Sequence, residues 1–389
     1  MIELTILMPC LDEAETIGVC IGRARQLLTA NKVTGEILVA DNGSSDGSQR
    51  IAGELGARVV ACPDRGYGAA LQCGIANAEG AYILMGDSDD SYHFDEAMPL
   101  IEQLRQGYDV CMGTRLRGRI EPGAMPWLNR YLGNPVLTLI GKFLFGLTIS
   151  DFHCGMRAFR AERIRQLNLV TTGMEWASEM VIKAWLAGCS FSEVPITLHK
   201  DGRSRPPHLR RWRDGWRHLR FMLLHCPTWL FTVPGLAMTV VGVVGQAVLA
   251  RGMVPLGRIV LDIHTMLVCA VLVILGIQVT ATGIFARLYS TLAGILPLDE
   301  RFERIVRKFT LEKLLAGSLL AALFGLGGFF RVMDVWYRSG FAELDYRTTL
   351  RMLIPSLTLF AVAVQGMFNG FMLSILFLKT KCASRTFAD

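Results

Sequence analysis

Residues 85–94 read MGDSDDSYHF, and they place Asp87, Asp89 and Asp90 directly after the apolar run AYILM. Carboxylates crowded at the end of a strand repel one another. Either a hard divalent cation compensates them through oxygen ligands, or water and backbone capping do. Other residues of chemical interest recur at strand ends and in polar turns. PCLDEAETI supplies Pro9, Asp12 and Glu13, and VADNGSSDGS supplies Asp41, Gly43 and Asp46. GTRLRG carries Arg115, and PWLNRYLGN carries Arg130 and Asn134. SDFHCGMRAF contains Asp151, Gly155 and Arg157, MEWASEM contains Glu179, and GRSRPP contains Arg203 and Arg205. No GxGxxG follows the first apolar run and no GxxxxGK[ST] occurs, which argues against dinucleotide oxidoreductases and P-loop enzymes.

These residues need a frame. The first half alternates short β-rich runs with helical patterns, which predicts a Rossmann-like α/β domain with a mostly parallel sheet. TILMPCL, GEILVAD, RVVACP, AYILMGD and YDVCMGTR read as strands. Helical patterns fall near EAETIGVCIGRARQLL, SQRIAGELG, AALQCGIANA and DEAMPLIEQLRQG. Such sheets bind ligands at the carboxyl ends of their strands, where Asp41, Asp87 and Arg115 are expected to lie.

Beyond about residue 224 the character changes. Apolar stretches near 228–250, 264–286, 314–333 and 352–378 approach the roughly 20 residues that cross a bilayer, giving an all-α transmembrane domain. The expected division is a catalytic domain over 1–206, an amphipathic interface segment over 207–226, and a membrane domain over 227–389. In HLRRWRDGWRHLR, Leu209, Trp212, Trp216 and Leu219 recur at helical spacing among arginines, as in a helix lying at headgroup depth. Basic residues there and in ERFERIVRKFTLEK favour a cytoplasmic catalytic domain. Gln278, Gln365 and Asn369 read as helix-packing contacts. The net charge of +6 comes without zinc-finger spacing or RNA-binding signatures, so nucleic acid is not an expected partner. Ten dispersed cysteines without a CxxC pair read as reduced, buried thiols. MIELTILMPC lacks a basic n-region and reads as a first strand, not a signal peptide.

PCLDEAETI, VADNGSSDGS, MGDSDD, GTRLRG and SDFHCGMRAF occur in that order over roughly the first 225 residues. The ordered set resembles family 2 glycosyltransferases with the GT-A fold, closest to polyprenyl-phosphate hexosyltransferases of the dolichyl-phosphate mannose or glucose synthase type. The resemblance implies that Pro9, Asp12, Glu13, Asp41, Gly43, Asp46 and Asp87 form the nucleotide pocket, with Asp12 replacing the usual Asn. It implies that Asp87 and Asp89 hold Mg²⁺ or Mn²⁺ as a D-x-D pair. Arg115, Arg130, Asn134, Arg203 and Arg205 would face the lipid phosphate, with Asn134 standing where a Ser is usual. Asp151, Gly155 and Glu179 would shape the sugar pocket, with a structural turn as the other role open to Asp151. Asp89, Arg115 and Arg130 would carry catalysis.

The implied reaction is inverting transfer of a hexose from a nucleotide sugar to polyprenyl phosphate, UDP-glucose being favoured and GDP-mannose the other donor. A phosphate monoester is largely dianionic at pH 7, so it needs positioning and charge screening, not a general base. Two rivals stand. A processive polysaccharide synthase carries Q-x-x-R-W, from which HLRRW departs at His208. A non-catalytic lipid-sugar transporter or scaffold needs no intact acidic pair. Homo-oligomerisation is left open.

Overall fold

A computed structural model describes residues 2–204, 211–293, 296 and 299–378. The chain divides into two compact units, Met1–Met222 and Leu223–Asp389.

In the first unit the strands are β1 (Leu4–Cys10), β2 (Gly35–Asp41), β3 (Arg58–Ala61), β4 (Tyr82–Met85), β5 (Val110–Ile120), β6 (Arg157–Arg160) and β7 (Phe191–Leu198). They form one sheet in the order β3-β2-β1-β4-β6-β5-β7. β1 is buried along its whole length, which is why its seven residues read as an apolar run without alternation. β1 pairs in parallel with β2 and β4, and β5 pairs in parallel with β7. The exception is β6, antiparallel to both β4 and β5. Its four residues end in arginines and carry no strand signature in the sequence.

Helices α1 (Ile17–Ala30), α2 (Ser48–Glu54), α3 (Tyr67–Asn77) and α4 (Met98–Arg105) connect the early strands. Ile17, Cys20, Ile21, Ala24 and Leu27 of α1 are buried, the three- and four-residue spacing of a core-facing stripe. α5 (Asn134–Phe145), α6 (Ala161–Arg165), α7 (Trp176–Leu186) and α8 (Arg211–Leu224) follow. A π-helical turn, Asn129–Gly133, runs directly into α5.

Two sequence expectations need correction. Arg115 does not end its strand: β5 continues to Ile120, and its register against β7 slips between Thr114 and Arg119, so Arg115 enters an irregular stretch. Not all described cysteines are free thiols. Cys62, just after β3, and Cys73 of α3 form a disulfide with Cα atoms 6.0 Å apart; strand end and helix face bring together two residues eleven apart in sequence. Cys10, Cys20, Cys111, Cys154, Cys189, Cys226 and Cys269 are free and buried, as expected. The amphipathic helix expected from residue 208 is described from Arg211 onward, residues 205–210 lying outside the described residues; it buries Asp214, His218, Phe221 and Met222, while Trp212 and Trp216 are exposed.

The second unit contains four helices long and apolar enough to span a membrane: Thr228–Leu249, Ile263–Leu292, Leu311–Arg338 and Tyr346–Phe377. Each is close to or longer than the span expected from sequence. The first pair approach closely through glycine. A Cβ on Gly235 would lie 2.5 Å from Thr280 Oγ1, and one on Gly276 would lie 2.6 Å from the backbone nitrogen of Thr239, the small-residue packing that membrane helices use. Gln246 Nε2 donates an interhelical hydrogen bond to Thr358 Oγ1 at 3.1 Å, and Arg287 Nη1 donates another to Thr228 Oγ1 at 3.2 Å. Gln278 and Asn369 contribute none, their side chains making no hydrogen bond among the described residues. Gln365 Oε1 is buried without a hydrogen-bond partner among the described residues.

Candidate active site

The DSDD loop follows β4 and is tied down by backbone contacts. Ser88 Oγ donates to the Pro9 carbonyl at 2.7 Å, and Thr16 Oγ1 donates to the Ser88 carbonyl at 2.7 Å. Asp87 is half-buried. The partly buried Tyr67 donates its hydroxyl to Oδ1 at 2.9 Å, while Oδ2 has no hydrogen bond among the described residues. A Cβ at Gly155 would lie 2.7 Å from Asp87 Oδ2 and 2.8 Å from the Tyr92 ring, so only glycine leaves that carboxylate its place. Burial and the adjacent Asp89 carboxylate push Asp87 up to about 6, a position that a nearby cation would relieve.

Asp89 is already partly compensated. Its Oδ1 accepts from the Ser91 N–H at 3.0 Å and the Ser91 hydroxyl at 2.5 Å, and its Oδ2 is paired with Arg203 Nη2. Arg203 Nη1 also donates to Glu13 Oε1 at 3.1 Å. The question posed by the crowded carboxylates therefore has a first answer inside the chain, an arginine bridging two of the acids. The remaining donor set, Asp87 Oδ2 and the carboxylates of Asp89 and Glu13, consists of hard oxygens suited to Mg²⁺ or Mn²⁺.

The turn after β2 is built around Asp41 and Asp12. Asp41 is almost fully buried. It accepts from Gly43 N at 3.0 Å and Ser44 N at 3.2 Å, and also from Gln49. Gly43 has φ +91°, which glycine adopts without strain. Asp12 has φ +55°, a region that Asn and Asp tolerate better than most residues, so the Asn-to-Asp exchange is conformationally neutral. Its Oδ1 accepts from Ser45 N at 2.7 Å. Asp46 Oδ2 accepts from Ala14 N at 2.8 Å, and Oδ1 accepts from Ser48 N at 3.0 Å. Burial raises its carboxyl, but these bonds outweigh it and hold Asp46 below the ordinary range. Asp12 and Asp46 thus lace the β1 and β2 loops together.

Several proposed ligands are committed elsewhere. Arg115 is buried against the fully buried Asp151. Its Nε donates to Oδ2 and its Nη2 to Oδ1, both at 2.8 Å, and its backbone N–H donates to Oδ2 at 3.0 Å. Burial alone would raise the Asp151 carboxyl, yet the facing guanidinium holds it below the usual range. Asp151 therefore braces Arg115. Glu179, also fully buried, accepts from Val170 N, Thr171 N and Thr171 Oγ1 and pairs with Lys183 Nζ at 2.7 Å. Its carboxylate is thus held by the segment before α7 and by Lys183 of α7.

Arg130 is different. It sits in the π-helical turn, partly exposed, 5.4 Å from the Tyr131 ring centroid, and it has no acid partner among the described residues. Asn134 Nδ2 contacts Met125 Sδ at 3.6 Å. Arg205 lies outside the described residues. Residues that the sequence did not single out include Tyr67, Tyr92, whose hydroxyl accepts from Gly155 N at 3.0 Å, and Ser48, whose hydroxyl accepts from Glu13 N at 2.8 Å. A Tyr beside glycines in RGYG was the available signal for Tyr67.

Comparison with known proteins agrees with this picture. Residues 5–167 match the model of glycosyl transferase family 2, and residues 284–377 match the family 2 C-terminal transmembrane region. A low-salt glycan biosynthesis hexosyltransferase, Agl6, from Haloferax volcanii is 34% identical over 375 residues, covering 96% of this chain and 89% of that one. A dolichyl-phosphate hexose transferase from the same organism is 30% identical over 195 residues, covering 50% and 82%. A glucosyl-3-phosphoglycerate synthase from Mycobacterium tuberculosis, solved with Mn²⁺, UDP and glucosyl-3-phosphoglycerate, shares 21% identity at a TM-score of 0.47, covering 58% and 80%. The chain belongs to glycosyltransferase family 2, in the branch that carries a C-terminal transmembrane region. It is a membrane-integral glycosyltransferase with a GT-A catalytic unit and a four-helix membrane unit.

Proposed function

We propose that this enzyme transfers a hexose from a nucleotide sugar, UDP-glucose in preference to GDP-mannose, to a polyprenyl phosphate, with inversion at the anomeric carbon. The observation that carries this reading is an acidic site left half-compensated. Among the described residues, Asp87 Oδ2 has no donor beside the Arg203-bridged Asp89 and Glu13, and Arg130 is a cation without a fixed acid. Asp87 and Asp89 would hold Mg²⁺ or Mn²⁺, which neutralises the departing diphosphate. Asp41 and the Gly43 turn would receive the nucleoside. Arg130, with Asn134, Arg203 and Arg205, would screen the acceptor phosphate, and Arg115 would position the Asp151–Tyr92–Gly155 wall behind it. The dianionic phosphate attacks without a general base.

The name of the Haloferax dolichyl-phosphate hexose transferase supports a lipid-linked acceptor, and that of the Haloferax hexosyltransferase supports a hexose as the group transferred. The surface of the catalytic unit supports it as well. Trp127, Tyr131, Leu132, Val136, Leu139 and Phe143 are exposed along the turn and α5, a spacing that presents one apolar stripe suited to lipid. With the catalytic unit cytoplasmic, transfer takes place at the inner face. The test incubates the purified full chain with polyprenyl phosphate, Mg²⁺ and a panel of labelled nucleotide sugars. One sugar on lipid phosphate, lost in chelator and lost in Asp89→Ala, is the expected result. A polymeric product, a preference for an alcohol acceptor, or full turnover in excess EDTA overturns it.

A further inference from the structure

His93, Glu96 and His199 come together outside the acidic site. His93 and Glu96 lie in the short turn after the DSDD loop, and His199 immediately follows β7. One ligand atom from each lies within 4.8 Å of the others. Glu96 Oε1 is 3.5 Å from His199 Nε2 and 3.9 Å from His93 Nδ1. Tetrahedral Zn²⁺ sets about 3.3 Å between neighbouring N and O donors, so closure asks for movements on the order of 1 Å. The two imidazoles stack, centroids 3.4 Å apart and planes 8° from parallel. Because lone pairs lie in the ring planes, a shared ion requires one ring to rotate out of the stack.

Two independent features point to a ligand here. His199 Nε2 is buried and has no hydrogen-bond partner among the described residues, while its other nitrogen, Nδ1, is 3.2 Å from Glu121 Oε1. A carboxylate behind a histidine fixes the tautomer that leaves the far nitrogen bare, as in carboxylate–histidine–metal sites. Beside the cluster lies a cavity of about 70 Å³, bordered by His93, Glu96, Met156, Ile196 and Thr197, large enough for an ion with a water. The neighbouring cation does not fill the place: Arg23 is paired with Asp90 at 2.9 Å and faces Asp95 at 3.6 Å. Asp90 Oδ1 lies 3.9 Å from His93 Nε2, on the far side of that ring.

We infer that His93, Glu96 and His199 bind a borderline transition-metal cation of the Zn²⁺ class, with Glu121 orienting His199, at a site separate from the hard-metal aspartates. Imidazole nitrogens favour that class over Mg²⁺. The site would also pin the segment that carries Arg203. His199 N donates to the Ser91 carbonyl and Gly202 N to the Asp89 carbonyl, each at 3.0 Å.

Co²⁺ titration of the full chain in detergent tests this by its visible ligand-field bands, with Zn²⁺ competition. One equivalent bound with tetrahedral-type absorption is expected. It should be retained in Asp87→Asn/Asp89→Asn and lowered at least tenfold in affinity in His199→Asn and in the milder Glu96→Gln. Glu96 is half-exposed, so the Glu96→Gln protein is expected to fold, and thermal unfolding of each variant checks this. Bands unchanged in Glu96→Gln and His199→Asn, bands lost with the aspartates, or no binding at all would each overturn the inference.

Discussion

Arg130 and Arg115 have the same side chain and opposite circumstances. Arg115 is matched by Asp151 in a buried bidentate pair, and removing one member of such a pair strands the other charge, at about 3–5 kcal/mol. Arg130 has no such partner among the described residues, so its loss should leave the fold intact. Arg130→Ala is expected to raise the KM for polyprenyl phosphate about 10- to 100-fold, the worth of one or two hydrogen bonds to a charged group, with little change in the donor KM. Steady-state kinetics with each substrate varied checks it. Glu179 gives a pH prediction. Burial raises its carboxyl, but Lys183 and the Thr171 and Val170 bonds outweigh that and hold it below its ordinary 4.5. A depressed folded-state value means the stabilisation is complete above pH 4.5 and is lost as pH falls through the lower folded value. Glu179→Gln should therefore cost about 2 kcal/mol at pH 7 and flatten the acid limb of a thermal-unfolding profile below pH 4.5. An unchanged acid limb would count against the assignment.

At the scale of elements, α5 and the π-helical turn before it deserve the same scrutiny as the motifs. Phe143 and Leu139 are more than half exposed, costly in water and favourable in a headgroup layer. Phe143→Glu is expected to raise the KM for a long-chain prenyl phosphate in bilayers several-fold while leaving that for a short-chain acceptor in detergent unchanged. Equal effects on both would remove lipid from the explanation. Sequence patterning found β1, β2 and β4 because strands buried on both faces are continuously apolar. It missed β6, whose short RAFR carries no period, and it missed the apolar stripe of α5, which is interleaved with Arg130 and Asn134. The motif residues were legible, but their commitments were not. Asp151, Glu179 and Asp46 look like free acids in a string of letters, and only packing reveals that backbone N–H groups, Arg115 and Lys183 already occupy them.

For the whole molecule, the uneven distribution of basic residues gives a prediction of orientation. Arg301, Arg304, Arg307 and Lys308 follow the second span, in and just after the short helix Glu300–Val306. Their density exceeds that of the turns on the opposite side, which predicts that they share the catalytic unit's side of the bilayer. In intact cells an impermeant maleimide should label Ser339→Cys and spare Lys308→Cys; the reverse pattern inverts the topology.

Arg203 deserves a last thought as a tethered counterion. A loose divalent ion reaching Asp89 must evict a resident guanidinium that cannot diffuse away, and the tether keeps its effective concentration high. Polyphosphate changes the balance, since it supplies the evicted cation with a new anion. The free protein should thus be a poor scavenger of Mn²⁺ and a good one in the presence of nucleoside diphosphate. In Arg203→Ala, Mn²⁺ titration followed by paramagnetic resonance should show tighter uptake without nucleotide and a smaller gain on adding it. Uptake identical to the parent would mean that the guanidinium never stood in the ion's way.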